Sequence, residues 1–270
     1  ILEVMTKLLS ESKISYIKWD MNRHMTEIGS AALPAERQRE TAHRYILGLY
    51  RVLETLTERF PDILFESCSG GGGRFDAGML YYMPQVWTSD DSDAVERLYI
   101  QYGTSIAYPA ITMGAHVSAV PNHQVGRTTS MQMRADVAMM GQFGFELDLN
   151  KLSPEELETA KNAIEQFKRY RKTIQFGNMY RLRSPFEGEC AVFEFVSEDG
   201  EEVLFCAYSL MNHAENPYEY IRLMGLCEDA SYQNCETGEI VSGKTLANIG
   251  VQYRNEADFS SRVIAFRKVK

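Results

Sequence analysis

The sequence predicts an α/β chain in which a run of parallel strands and helices is followed by an antiparallel β-domain. Three observations carry that reading. Up to residue 177, short apolar β-favouring runs alternate with segments of helical period about five times, the pattern of a parallel sheet with crossover helices. After Gly177 the period shortens to strand alternation punctuated by turn residues. A closed (β/α)8 barrel typically takes about 250 residues, more than residues 1–177 supply. The expectation is therefore the carboxyl-terminal part of such a barrel, about strands four to eight, over 1–177, and an antiparallel β-sandwich over 178–270.

Each element has a local reason. Leu2, Met5, Leu8 and Leu9 share a helical face between Ile1 and Ser12. The run Ile14 to Ile17 reads as a buried strand that empties into Lys18-Trp19-Asp20-Met21-Asn22-Arg23. Thr41 to Phe60 is a longer helix, with Tyr45, Leu49, Val52, Leu53 and Leu56 on one face and Pro61 as its stop. Asp62 to Cys68 is a second buried strand, running into Ser69 and the glycines Gly70 to Gly73. Gln85 to Ser89 is a short third strand, ending in Asp90, Asp91 and Asp93, with Glu96 opening a helix. The next strand is expected over Ser105 to Met113, with Gly114 to Ser118 as its loop.

Thr128 to Met140 reads as helix and Phe143 to Leu149 as strand. Ser153-Pro154-Glu155-Glu156 is a capping box with proline in the first turn, opening a helix to about Gln175. Beyond it, Cys190–Phe195, Val203–Tyr208, Tyr220–Leu223 and Arg262–Phe266 are expected strands.

Composition narrows the function. The formal net charge of −9, with no basic stripe, argues against nucleic acid and against an anionic membrane surface. No apolar run approaches the roughly 20 residues of a membrane span. The 5 cysteines show no disulfide-scaffold spacing, which favours a reduced, cytoplasmic setting, although a chain that opens at Ile1 leaves an upstream export signal open. His116 and His123 have no carboxylate or cysteine at helical ligand spacing, so no metal is expected.

The chemistry is expected at the carboxyl ends of the strands, where parallel α/β folds build their sites. Asp20 follows Lys18, and a nearby cation favours an ionised carboxylate, which can act as a nucleophile. A structural Asp capping the next helix or paired with Arg23 is the competing reading. The glycines after Cys68 allow a ligand close to the backbone, yet they carry neither the Lys-Ser/Thr ending of a phosphate loop nor dinucleotide spacing. Three acids within Asp90 to Asp93 exceed what a helix cap requires, which makes one of them a partner for Asp20.

Three linked motifs complete the picture: Lys18-Trp19-Asp20-Met21-Asn22-Arg23, Cys68-Ser69-Gly70-Gly71-Gly72-Gly73-Arg74-Phe75-Asp76 and Trp87-Thr88-Ser89-Asp90-Asp91-Ser92-Asp93-Ala94. In letters, order and spacing the chain resembles glycoside hydrolase family 36, the α-galactosidases acting on melibiose and raffinose-type oligosaccharides. The resemblance implies a retaining mechanism, with Asp20 as nucleophile and Asp90 as general acid/base, the two carboxyls roughly 5 Å apart. Asp91 is the rival for the second role. A raised pKa is expected of the acid/base.

Lys18 and Asn22 match positions that hydrogen-bond galactose hydroxyls, and Cys68 and Gly71 match the loop packed against the sugar. That loop stands where the 2-substituent of α-N-acetylgalactosamine would have to fit, which disfavours that specificity. No cofactor is implied, and the family assembles as homotetramers. Aspartates and a tryptophan that complete its galactose pocket come from earlier strands than these. A catalytically silent fragment is accordingly the alternative.

Overall fold

The computed structural model describes residues 1–22, 25–215 and 217–269. It divides into two compact units, Ile1–Asp90 and Asp91–Lys270. The first holds α1 (Leu2–Glu11), β1 (Tyr16–Asp20), α2 (Thr41–Arg59), β2 (Leu64–Cys68), α3 (Ala77–Tyr82) and β3 (Gln85–Trp87).

Strands β1 and β2 are parallel, with Lys18 opposite Glu66 and Asp20 opposite Cys68, and β2 pairs in parallel with β3. Side chains alternate across a strand. One face of this sheet therefore gathers Ile17, Trp19 and Phe65 with Leu9, Leu53, Leu56 and Met79 of the helices into a hydrophobic core. Truncating a buried leucine such as Leu56 would cost about 2–5 kcal/mol. The opposite face carries Tyr16, Lys18, Asp20, Glu66 and Cys68. Asp76 starts α3 by accepting from the Met79 N–H at 2.9 Å, the ordinary N-cap arrangement.

The second unit begins with α4 (Ala94–Ala107), β4 (Met113–Ser118), α5 (Met131–Ala138), β5 (Gln142–Glu146) and α6 (Pro154–Phe176). Strands β4 and β5 are parallel. The strand expected over Ser105 to Met113 is displaced here. Helix α4 continues to Ala107, Pro109 precedes a short 3-10 turn over Ala110–Thr112, and the strand occupies the stretch assigned to the loop. The apolar letters of Ile106 and Ala107 fit either periodicity, and the i→i−4 ladder of α4 claims them, with Tyr108 N–H donating to Thr104 at 3.0 Å. The capping box at Ser153 and Glu156 forms as its sequence implies.

The same unit then runs through β6 (Asn178–Arg183), β7 (Cys190–Val196), β8 (Glu202–Ser209), β9 (Glu219–Ile221), β10 (Ser231–Asn234), β11 (Ile240–Ser242), α7 (Gly243–Asn248), β12 (Val251–Tyr253) and β13 (Ser261–Val269). Six strands form an antiparallel sheet in the order β11-β10-β13-β8-β7-β6, and β12 pairs with β9 in a small second layer.

Every residue of β7 is buried. Phe193, Phe195, Leu204, Cys206 and Tyr208 pack with residues of α4, α5 and α6 on one face. Val192, Val203, Phe205, Ile264 and Phe266 pack with Ile221, Leu246, Val251 and Tyr253 on the other. The fold is thus a parallel half-barrel α/β portion followed by an antiparallel β-sheet domain.

Candidate active site

The site residues of the first unit converge because the register of β1 and β2 ends level. Asp20 is the last residue of β1 and stands opposite Cys68, the last of β2. Past both strands the chains remain tied. Met21 N–H donates to Cys68 O at 3.1 Å, and Ser69 Oγ donates to Met21 O at 2.6 Å. Asn22 bridges the two ends: its Nδ2 donates to Asp20 Oδ2 at 2.7 Å, and its Oδ1 accepts from the Gly70 N–H at 2.6 Å.

The glycine loop is tight for a backbone reason. Ser69 N–H donates to Gly71 O at 2.9 Å and Gly73 N–H to Ser69 O at 3.2 Å. Gly71 has φ +77, and a Cβ on it would lie 2.4 Å from Ser89 Cα and 2.9 Å from Asp90 N. Only glycine combines that conformation with that approach. The loop therefore presses directly on the backbone of Ser89 and Asp90, and Asn22 connects it to Asp20. A continuous set of contacts joins the strand ends that carry the two expected carboxylates.

Asp20 is exposed. Burial of part of its carboxyl pushes its pKa up, but hydrogen bonds from the Cys68 thiol and Asn22, the charge of Lys18 and the Met21 N–H outweigh it. The net effect holds Asp20 below the usual carboxylate range. Burial, with the Asp20 carboxylate as a further cause, pushes the Cys68 thiol up to about 11, so it stays a neutral donor. Lys18 Nζ sits 4.7 Å from the centre of the Trp87 ring and 3.9 Å from Glu66 Oε1. Arg23, the alternative partner for Asp20, lies outside the described residues.

The three acids have different surroundings. Asp90 is exposed at the end of the first unit. In the second unit, Asp91 Oδ1 accepts from the Asp93 N–H at 3.1 Å. Asp93 is buried and caps α4 through Val95 and Glu96 N–H at 3.0 and 3.1 Å, and Arg127 pairs with it. Asp93 is thus a helix cap, as the dipole argument allows.

Sequence reasoning passed over Glu66 and Trp87 as site residues. Glu66 was legible only as one letter of a buried strand, although it sits two residues before Cys68 and therefore on the same face. Among the described residues, no group of histidine, cysteine, aspartate or glutamate is arranged to hold a metal ion, and no helix is long and apolar enough to cross a membrane. His116 faces Glu146, with Nδ1 3.6 Å from Oε2.

Known proteins match this arrangement along the whole chain. The Melibiase family model matches residues 1–177, and that of the glycosyl hydrolase family 36 C-terminal domain matches residues 190–266. The α-galactosidase AgaA of Geobacillus stearothermophilus is 54% identical over 100% of this chain and 37% of its own length. Alpha-galactosidase 1 of Pediococcus pentosaceus is 48% identical, again over 100% of this chain and 37% of itself. The crystal structure of AgaA superimposes with a TM-score of 0.96, covering 99% of this chain and 37% of that one. Variants of that enzyme have been solved in complex with raffinose and with stachyose. The chain spans little more than a third of the length of these relatives. By motif, fold and identity, it belongs to glycoside hydrolase family 36, the family of the α-galactosidases.

Proposed function

We propose that the chain carries the catalytic centre of a retaining α-galactosidase that hydrolyses terminal α-galactosides such as raffinose-type oligosaccharides. The observation that supports this most directly is the Asn22 and glycine-loop latch, which ties the ionised Asp20 to the backbone of Asp90. In this reading Asp20 attacks the anomeric carbon and forms a glycosyl-enzyme ester, while the departing oxygen takes a proton from Asp90. Asp90 then removes a proton from water. The resulting hydroxide displaces Asp20, and the product keeps its α configuration.

Lys18 and Asn22 hydrogen-bond galactose hydroxyls. Cys68 and Gly71 form the wall beside the sugar, leaving little room for an N-acetyl group. Residues 1–177 form the catalytic portion and 178–270 the β-domain. The junction is close-packed: a Cβ on Gly177 would lie 2.3 Å from both Thr173 O and Val196 O. The protein works in the cytoplasm as a homo-oligomer, without a cofactor.

A second reading, a folded but catalytically silent segment, is favoured by the exposure of Tyr16 and Leu64 at 47% and 60% on the strand margin. One assay separates the two. Hydrolysis of an aryl α-galactoside is measured on the chain alone and on AgaA with its matching region replaced by this chain. Turnover by either, lost about 10⁴-fold or more in Asp20→Ala, supports the galactosidase reading. Turnover by the chimera alone assigns the isolated chain to the silent reading. No turnover by either removes the galactosidase reading.

A further inference from the structure

We infer that Glu66 is a positioning residue for the site: itself buried and hydrogen-bonded by the half-exposed Tyr16, it anchors the ammonium of Lys18 beside Asp20. Glu66 is 3% exposed, an unusual place for a carboxylate without a partner. Its two oxygens are used differently. Oε2 accepts a hydrogen bond from the Tyr16 hydroxyl. Oε1 is buried without a hydrogen-bond partner, and Lys18 Nζ stands 3.9 Å from it.

The strand register makes this possible, because Lys18 is directly opposite Glu66 in the parallel pair and Tyr16 lies one step back on the same face. On its other side Lys18 meets the Trp87 ring at 4.7 Å, a cation–π contact. A long, flexible lysine is thereby held between a fixed charge and a ring, with its charge still acting on Asp20 and Cys68. Holding it before substrate arrives removes an ordering cost that binding would otherwise bear. Burial together with the Glu66 carboxylate also pushes the Tyr16 hydroxyl pKa up, which keeps it a donor.

The contact does not depend on turnover, whereas its catalytic consequence rests on the galactosidase reading, so the test has two arms. In the first, the chain is acetylated with an N-hydroxysuccinimide ester at fixed pH, and each lysine is quantified by mass spectrometry. Glu66→Gln, which keeps the shape and the Tyr16 hydrogen bond but loses the charge, raises Lys18 labelling at least threefold relative to the exposed Lys7 and Lys13. Tyr16→Phe raises it less, and it carries the test if Glu66→Gln does not fold. Unchanged Lys18 labelling in the folded variants overturns the inference.

In the second arm, the AgaA chimera carrying Glu66→Gln shows a KM for the aryl α-galactoside raised about tenfold with kcat little changed. The same substitution adds less than twofold when Lys18→Met is already present. Additive effects overturn the inference while leaving the galactosidase reading intact. A chimera that hydrolyses no aryl α-galactoside overturns the galactosidase reading, and the labelling result still decides the role of Glu66.

Discussion

The two units treat their acids in opposite ways. At the margin of the first, β1 exposes alternate residues, and Asp20 is surrounded by donors and a cation that hold its pKa low. In the second, the six-stranded sheet is covered on both faces, and burial drives its carboxyls the other way. Glu194 on β7 is pushed up to about 8 by burial, which its one backbone hydrogen bond, from Met224 N–H at 2.8 Å, only partly offsets. Asp136 on α5 is pushed up to about 6 by burial, despite hydrogen bonds from Ser261 at 2.6 Å and Gln132 at 2.8 Å.

The difference teaches that donor count and exposure, not residue type, decide whether an aspartate or glutamate is a reagent or a part of the packing. In the first unit a carboxylate is kept charged where ligand can reach it. In the second, burial pushes Glu194 and Asp136 toward their neutral forms where ligand cannot.

The comparison can be broken most forcefully at the loop. Gly71→Ala puts a Cβ 2.4 Å from Ser89 Cα at φ +77, and the backbone must move. Displacement of this order costs about 10²-fold in kcat, to be read against circular dichroism showing the fold retained. An equal rate in Gly71→Ala would separate the loop from the catalytic geometry.

A second test works on proton balance. In the proposed mechanism Asp20 attacks in its ionised form, and its pKa is depressed, so the acid limb of kcat/KM is expected below the ordinary carboxylate range. Asn22→Ala removes one donor to Asp20 and one tether to Gly70, and it moves that limb to higher pH. A pH profile of the chimera measures the direction.

Glu194 gives the opposite sign in stability. Its pKa is about 4.3 in the unfolded chain and about 8 in the fold. Between those values the native state holds more protons, so stability falls as pH rises from near 4.3 to about 8 and levels off above. Glu194→Gln flattens that decline, and melting curves across the window detect it. A decline of unchanged slope in the variant would remove Glu194 as its source.

The smallest effect tests a part the candidate site does not use. Ser153→Ala breaks the capping box of α6, costing about 1 kcal/mol and a Tm drop of a few degrees, with turnover unchanged.

Much of this was written locally in the chain. Helical period marked α2 and α6, the letters Ser153 to Glu156 fixed a cap, and three motifs at set spacing identified the family before any contact was known. Asp20, Cys68 and the glycines announced themselves because charged and glycine-rich breaks after an apolar run are visible in one dimension. The second sheet was only half legible. Strands β10, β11 and β12 are only three or four residues long, too short for strand alternation to show in the sequence, and tertiary pairing completes them.

Sequence by itself therefore determined most of the element types, the family and the residues eligible for chemistry, because these depend on spacing along the chain. Tertiary structure alone decided which acid does what. Asp93 became a helix cap, Glu194 a buried acid and Glu66 the anchor of Lys18. Those fates depend on strand register and on what covers each face, and neither is encoded in the identity of a single residue.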